Sequence, residues 1–260
     1  MQRGPGCLGM IVATTPEATL LSRRLRLQWR ERSAVGSIWY GTLHGHEIVL
    51  IRGGIGPQRA TQAAAWLGQH YPLRGMLSVG FAGGLQTHLA TGDVILATKV
   101  LSHTGSLATM GASAAQAIVP HADWLHIATV AAAQAGLVSH KGLVWSADTV
   151  IAHATAKQCL GQQSGALAVD MESYSIGQVA THAHLPFGVL RTIFDTAVED
   201  CSFSPEECMT PDGVLQPRRL LAHLGSHPSL LMQMPHVWKQ ARTAGQHLQH
   251  WVRHFFMLLG

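Results

Sequence analysis

The chain has 260 residues, a length that fits one α/β domain and leaves no room for two domains of ordinary size. Hydrophobic residues make up 47% and charged residues only 12%, about half the charge of a typical soluble domain. This composition fits an Ala- and Gly-rich soluble enzyme, and it also fits burial in an oligomer or contact with an apolar partner. The net charge of +4 comes from scattered Lys and Arg, which argues against a nucleic-acid partner. No apolar run reaches the roughly 18 residues that span a bilayer, and no secretory signal pattern is present, so we expect a cytoplasmic protein.

Histidine is abundant, with 17 residues, and there are four cysteines. Neither residue type shows metal-ligand spacing, because CxxC and HExxH are both absent. His103, His121 and His126 could meet in space, but surface or singly hydrogen-bonded histidines explain the count better. The sequence therefore predicts neither a metal nor a cofactor.

Strand and helix patterns alternate along the chain, which predicts an α/β fold: a single domain with a central mixed sheet flanked by helices. This domain would cover residues 1–200, and residues 201–260 would form a loop and a helical C-terminal extension packed on it. Predicted strands cover 8–13, 36–43, 47–51, 75–79, 93–101, 138–145, 166–172 and 186–195. Predicted helices cover 16–29 (with Thr15 as N-cap), 57–70, 124–135, 151–160 and 173–184. Residues 102–122 are interpreted as a loop that lines or covers a site.

Two apolar runs end in an acid, at Glu172 and Asp195, with a predicted helix between them. Such runs are typical of buried parallel strands, whose carboxyl ends border the ligand site in open α/β sheets. Two carboxyl groups in a partly dry cleft can differ in pKa, so that one is ionised while the other holds a proton. We therefore expect both acids to take part in chemistry.

Two glycine-rich segments, 53–56 and 80–85, each follow a predicted strand and are interpreted as tight turns. Glycine permits positive φ and close approach of a ligand to the backbone. Neither segment is a dinucleotide-binding GxGxxG followed by an acid, nor a P-loop ending in Gly-Lys-Ser/Thr. Each turn alone is a weak indication of a binding site.

Taken together, these motifs resemble the nucleoside phosphorylase and nucleosidase superfamily, and in general most closely the 5′-methylthioadenosine/S-adenosylhomocysteine nucleosidases. The likeness runs from about residue 8 to residue 197. Its landmarks are Pro16-Glu17-Ala18-Thr19-Leu20-Leu21, Gly53-Gly54-Ile55-Gly56, Gly80-Phe81-Ala82-Gly83-Gly84-Leu85, Gly92-Asp93-Val94, Ser146-Ala147-Asp148, Val169-Asp170-Met171-Glu172 and Arg191-Thr192-Ile193-Phe194-Asp195. Asp212-Gly213 and His227-Pro228-Ser229-Leu230-Leu231 in the tail resemble the hopanoid-associated branch, which is implicated in removing adenine from adenosylhopane.

The resemblance implies a role for each acid. Asp195 matches the residue that protonates the purine at N7, and its neighbours Ile193 and Phe194 would desolvate it and raise its pKa. Glu172 matches the residue that binds the ribose hydroxyls, and Glu17 the base that activates water. The remaining substrate contacts that the resemblance implies are Met171, Ile55, Phe81, Ala82, Gly83, Ser146, Asp148, Val150, Ile151 and Phe194.

The resemblance alone does not decide whether the nucleophile is water or phosphate, because the superfamily contains both hydrolases and phosphorylases. The position that carries Arg in several phosphorylases is here Ser78, and Phe81 stands where a hydroxyl would contact phosphate. Glu17 would repel phosphate, so these residues favour water. Phosphorolysis stays open, because the four residues Thr14, Thr15, Arg52 and Arg59 could build a different anion site.

Phe81 and Phe194 replace smaller polar residues of the relatives. This change favours a more apolar, lipid-linked purine nucleoside as the substrate over methylthioadenosine or adenosylhomocysteine. Apolar residues recur at helical spacing in 236–260 among basic ones, so this helix could contact a membrane surface or pack on the protein. We also expect a homodimer. A nucleoside-binding scaffold is the non-enzymatic alternative, although a binder has no need of a leaving-group acid.

Overall fold

Ten strands and six helices alternate in the computed structural model, which describes residues 6–102, 116–201, 210, 212, 214, 216, 218 and 229–260. The strands are β1 (Cys7–Val12), β2 (Arg26–Ser33), β3 (Gly36–Leu43), β4 (His46–Arg52), β5 (Leu73–Gly84), β6 (Val94–Ser102), β7 (Gln116–Ile118), β8 (Ser139–Ser146), β9 (Ala166–Asp170) and β10 (Phe187–Asp195). The helices are α1 (Thr15–Ser22), α2 (Pro57–His70), α3 (Ala122–Gln134), α4 (Ala154–Ser164), α5 (Ser173–His182) and α6 (Ser229–Leu258). The predicted α/β class with a mixed sheet is confirmed.

The sheet is organised around β5, which pairs in parallel with β1 on one side and with β10 on the other. At its C-terminal end β5 also pairs antiparallel with β9, through Gly83 and Gly84. Because β10 pairs with β6, β6 with β8 and β8 with β9, these five strands close into a ring. The ends of β9 and β10, which carry the predicted acids, therefore flank the same end of β5.

Helices cover both faces of the sheet, and each face has its own apolar core. Residues of α1, α3 and α6 pack on one face, around β1 side chains such as Leu8 and Met10. Residues of α2 and α5 pack on the other face, around Ile11 and Val49. This two-sided burial explains why the central strands are apolar along their whole length instead of alternating.

The first helix is shorter than predicted, because α1 ends at Ser22 and residues 26–33 form β2 instead of continuing the helix to Trp29. The edge strand β2 pairs antiparallel with β3 and is exposed along nearly all of its length. Its identity as a strand therefore depends on hydrogen bonds to β3, which local helix propensity does not reveal. The N-cap also lies one residue earlier than predicted, at Thr14.

The second glycine segment is also not a turn, because β5 continues as a strand through Gly84. The predicted loop at 102–122 contains the short strand β7 and the first residue of α3, while residues 103–115, including His103, lie outside the described residues. Within the described residues, no three His, Cys, Asp or Glu side chains group closely enough to hold a metal ion.

The C-terminal helix α6 packs its apolar side chains into the core on the side of α1 and α3. Leu248, Trp251, Phe255 and Phe256 are each no more than 1% exposed, and Trp251 Nε1 donates a hydrogen bond to the Ala128 carbonyl oxygen, 2.8 Å away. These residues are therefore part of the fold and not a free apolar surface. Among the described residues, no helix combines the length and apolar character needed to cross a membrane.

Candidate active site

Glu17 is fixed at the third position of α1 by four hydrogen bonds. Its Oε2 accepts from the Ala13 amide at 3.2 Å and from the amide and hydroxyl of Thr14, both at 2.8 Å. Its Oε1 accepts from the Phe81 amide of β5 at 2.9 Å. Glu17 is only 3% exposed, so it is not the solvated first-turn acid that a helix dipole alone would explain.

Gly80 lets Glu17 approach β5 so closely. A Cβ at position 80 would overlap Glu17 Oε1 and lie 2.6 Å from Arg191 Nη1. Glycine at this position therefore lets side chains pack closely against an extended strand. It does not form the turn that the sequence predicted.

Glu172 lies two residues after the end of β9, and each of its carboxylate oxygens has its own partner. Its Oε1 accepts a hydrogen bond from the Gly56 amide at 3.0 Å, and its Oε2 lies 3.4 Å from Arg191 Nη2. Burial raises the pKa of Glu172 to about 7, with Asp170 and Glu17 adding to the rise while Arg191 and the Gly56 amide oppose it. A carboxyl group of this kind changes charge near neutral pH.

Arg191 lies in the middle of β10 and is 2% exposed. Its Nε is 2.9 Å from Asp170 Oδ2, and its Nη2 donates to Ser78 Oγ at 2.9 Å. Burial disfavours the charged guanidinium, but Asp170, Glu172 and Glu17 outweigh that effect and raise the pKa of Arg191. One buried cation therefore interacts with all three acids on this side of β5.

Asp170 points into this network, and Ser146 does so with it. The Ser146 hydroxyl donates to Asp170 Oδ1 at 2.5 Å and accepts from the Tyr174 amide at 2.9 Å. Ser146 is therefore committed to the protein interior through its side chain, and only its backbone is left for the purine contact that the resemblance implies.

Asp195 ends β10 beside Gly83, three residues along β5 from Gly80, or about 10 Å at the rise of a strand. A Cβ at Gly83 would lie 3.5 Å from Asp195 Oδ2. The ammonium group of Lys157, a residue of α4, forms an ion pair with Asp195 Oδ2. Burial raises the pKa of Asp195 although Lys157 opposes the rise.

Of the other predicted contact residues, Phe81, Ala82 and Gly83 lie in β5, Phe194 lies in β10, Met171 directly follows β9, and Ile55, Asp148, Val150 and Ile151 lie between elements. The rings of Phe81 and Phe194 are 5.5 Å apart between centroids. Met171 is half-buried, with its Cε 3.8 Å from where a Cβ on Gly56 would lie. Ala82 is buried, Ile55, Gly83, Val150 and Ile151 are partly buried, and Asp148 is exposed.

Sequence reasoning gave no role to two residues of this site, Arg191 and Lys157. Arg191 did leave a signal, because a charge in the middle of the apolar strand Phe187–Asp195 requires buried partners. Lys157 left none, since a lysine in a helix is ordinarily solvated.

The comparisons with known proteins identify the family of the chain. The family model described as phosphorylase superfamily matches residues 8–210. A 5′-methylthioadenosine/S-adenosylhomocysteine nucleosidase of Shewanella baltica is 30% identical over 201 residues, covering 74% of this chain and 85% of that protein. The same-named protein of Halalkalibacterium halodurans is 28% identical over 225 residues, covering 84% of this chain and 97% of that protein.

Solved structures share the fold. The 5′-methylthioadenosine/S-adenosylhomocysteine nucleosidase of Neisseria meningitidis, in complex with methylthio-immucillin-A, superimposes with a TM-score of 0.73 at 21% identity, covering 97% of this chain and 99% of that one. Futalosine hydrolase of Helicobacter pylori gives a TM-score of 0.71 at 21% identity, covering 94% and 96% of the two chains.

Proposed function

The chain belongs to the phosphorylase superfamily, and from that premise we propose that it is a purine nucleosidase, which releases adenine from a 5′-substituted adenosine by hydrolysis. The observation that carries this proposal is the placement of three carboxyl groups around one strand. Glu17 and Glu172 both interact with Arg191 on one side of β5, and Asp195 lies three residues farther along it. Named nucleosidases among the relatives support the same reaction class.

Asp195 is the proposed acid. Adenine is a poor leaving group as an anion, so a proton must reach N7 as the C1′–N9 bond breaks and its electron pair moves to the base. The raised pKa of Asp195 favours the protonated carboxyl that this step requires.

In this proposal Glu172 binds the sugar and Glu17 activates the attacking water. An ionised Glu172 accepts hydrogen bonds from the ribose hydroxyls and stabilises the positive charge that grows on the sugar ring. Glu17 takes a proton from the water that attacks C1′, so the products are adenine and a free sugar. Met171 packs against the ribose, and the backbone near Val150 and Ile151 contacts the base.

Water is favoured over phosphate because most of the donors that could bind an anion already have protein partners. The Thr14 and Phe81 amides donate to Glu17, so a carboxylate already takes the hydrogen bonds a phosphate would need. Arg52 Nη1 donates to Thr15 Oγ1 at 2.7 Å and Arg59 pairs with Asp212, whereas the buried Nε of Arg52 has no hydrogen-bond partner among the described residues. A phosphate would have to displace these partners and approach a buried negative charge.

For the substrate we propose adenosylhopane, converted to ribosylhopane in hopanoid biosynthesis. The supporting feature is the apolar pair of Phe81 and Phe194 beside the acid, which suits a lipid-linked nucleoside. Methylthioadenosine or adenosylhomocysteine is the second candidate, supported by the names of the relatives.

The test is adenine release by the full-length protein from adenosylhopane and methylthioadenosine side by side, each with and without phosphate. We expect turnover that does not depend on phosphate, a free sugar product and faster turnover of adenosylhopane. Formation of a sugar 1-phosphate would refute hydrolysis. Faster turnover of methylthioadenosine would refute the proposed lipid-linked substrate. Release of no adenine from either compound would refute the proposed nucleosidase activity.

The pH profile of the reaction follows from Glu172. Since its pKa is raised to about 7 in the folded protein, Glu172 gains a proton as the pH falls through neutrality and can no longer accept from both ribose hydroxyls. We therefore expect kcat/KM to fall on the acid side of about pH 7. Initial rates at subsaturating substrate, with circular dichroism at each pH as a folding control, measure this limb. A flat profile down to about pH 5 would contradict the role of Glu172.

We also propose that the chain contacts a membrane surface, and we narrow the contact within residues 236–260 to the N-terminal half of α6. The apolar residues from Leu248 onward are largely buried, but Trp238 is 70% exposed and lies beside exposed Lys239 and near exposed Arg242. An exposed Trp with basic neighbours suits the headgroup region.

Replacing Trp238 with Ala is expected to weaken binding to anionic liposomes several-fold, because the ring is a large exposed apolar group beside basic residues. Co-sedimentation measures the effect. Met257→Ala, on an exposed residue at the other end of α6, is the matched control and should not change binding. Equal binding by both variants would refute the contact.

The homodimer is a further proposal, which sedimentation velocity of the full chain tests.

A further inference from the structure

Lys157 is the most completely buried ammonium group among the described residues, at 0% exposure. It comes from α4, an element to which the proposed mechanism gives no role. Its Nζ donates a hydrogen bond to Asp195 Oδ2. It also donates to the carbonyl oxygens of Thr196 at 3.1 Å and Glu199 at 2.7 Å. All three donor positions of the ammonium are thus directed at the acid and at the segment that follows it.

We propose that Lys157 is a positioning residue for the reaction, the counter-ion that stabilises the Asp195 carboxylate formed when this acid gives its proton to the purine. The inference rests on the proposed function. The charge on Asp195 changes from zero to minus one in the step that breaks the glycosidic bond. A cation fixed beside it before the reaction stabilises that developing charge without reorganisation of solvent.

The geometry suits this role better than a purely structural one. Lys157 contacts one carboxylate oxygen, Oδ2, so the ammonium group does not occupy Oδ1. Its two backbone contacts fix the ammonium independently of Asp195, so the cation stays in place whether the acid is charged or neutral.

The other charged groups near Asp195 cannot supply this stabilisation. Glu199, in the segment after β10, adds negative charge and so contributes to the raised pKa of Asp195. His236 of α6 contacts Glu199 Oε1 at 2.8 Å, and so it faces Glu199 and not the acid. Asp200 lies near exposed His153, 3.9 Å away. Among the described groups around the acid, Lys157 is the cation in direct contact with it.

The test compares Lys157→Met and Lys157→Gln, which remove the charge, with Lys157→Arg, which keeps it. Gln158→Met is the matched control, because Gln158 lies on the same helix and donates to the Ala197 carbonyl oxygen at 3.0 Å, a neutral bond to the same segment. We expect the neutral variants to lose kcat on the order of 10²-fold. The alkaline limb of kcat/KM should move to higher pH, because an Asp195 without its cation keeps its proton longer. Lys157→Arg should restore part of both, and Gln158→Met should change neither.

A second measurement separates this inference from the proposed function. Carbon-13 NMR of labelled aspartate carboxyl groups, assigned with Asp195→Asn, gives the pKa of Asp195 without any substrate. A higher pKa in Lys157→Gln than in the unaltered protein supports the counter-ion even if no adenine is released. An unchanged pKa, or a loss of kcat with no displacement of the alkaline limb, would overturn it. Absence of turnover in the unaltered protein overturns only the proposed function.

Discussion

Replacing Asp195 with Asn is expected to lower kcat for adenine release on the order of 10³-fold, with substrate affinity changed by only a few-fold. Asn has nearly the same shape, and its amide oxygen can still accept from Lys157. Its NH₂ group can donate a hydrogen bond to N7 but cannot transfer a proton. The variant therefore keeps the contact and loses the chemistry, which appears as a loss of kcat with little change in KM.

The matched control is Asp123→Asn, which makes the same substitution at an exposed residue of the first turn of α3. Steady-state rates give kcat and KM, and isothermal titration gives affinity for the intact substrate. If Asp195→Asn retained kcat within tenfold of the control, position 195 would not be the source of the proton. Loss of affinity with kcat unchanged would instead make Asp195 a binding residue.

The pattern of apolar runs predicted most of the fold. Segments such as Phe187–Asp195 are apolar enough to be recognised without any partner, and the alternation of strands with helices then indicates the fold class. The edge strand β2 was missed for the opposite reason. Its residues are exposed on both faces, so no burial pattern distinguishes them from a charged helix, and only pairing with β3 makes them a strand.

The site divides in the same way. Glu17, Glu172 and Asp195 stand next to recognisable element ends, so their neighbourhood could be predicted from order along the chain. Their partners could not. Lys157 meets Asp195 across 38 positions of sequence, and that meeting depends on how α4 packs against β9 and the segment after β10. No local pattern encodes such a contact.

Gly80 illustrates why a correct motif led to a wrong local structure. Glycine clusters after a strand usually indicate turns, but here the missing side chain is needed for packing. Glu17 and Arg191 both occupy the space that a side chain at position 80 would need. The motif was therefore informative about the site and uninformative about φ, which is not positive at position 80.

Replacing Arg191 with Met is expected to cost about 3–5 kcal/mol of unfolding free energy at neutral pH. The guanidinium is 2% exposed, and it is the ion-pair partner of both Asp170 and Glu172. Met fills much of the volume and removes the charge, so the packing loss is small and the main penalty is two buried acids without a cation. Urea denaturation measures the change, and Arg24→Met, at an exposed Arg bonded to Gln249, is the control.

The pH dependence of this loss distinguishes lost charge from lost packing. The pKa of Glu172 is already raised to about 7 by burial, against the opposing effect of Arg191, so without Arg191 it rises further. Protonation then removes the unpaired charge, and the destabilisation by Arg191→Met should shrink as the pH falls from about 8 towards 5. A loss that stays constant over this range would mean that Arg191 stabilises the fold by packing and hydrogen bonding to Ser78 and Ser173, and not by neutralising acids. Because Glu172 also binds the ribose hydroxyls in the proposed mechanism, a loss that shrinks would also place its charge under the control of one buried arginine.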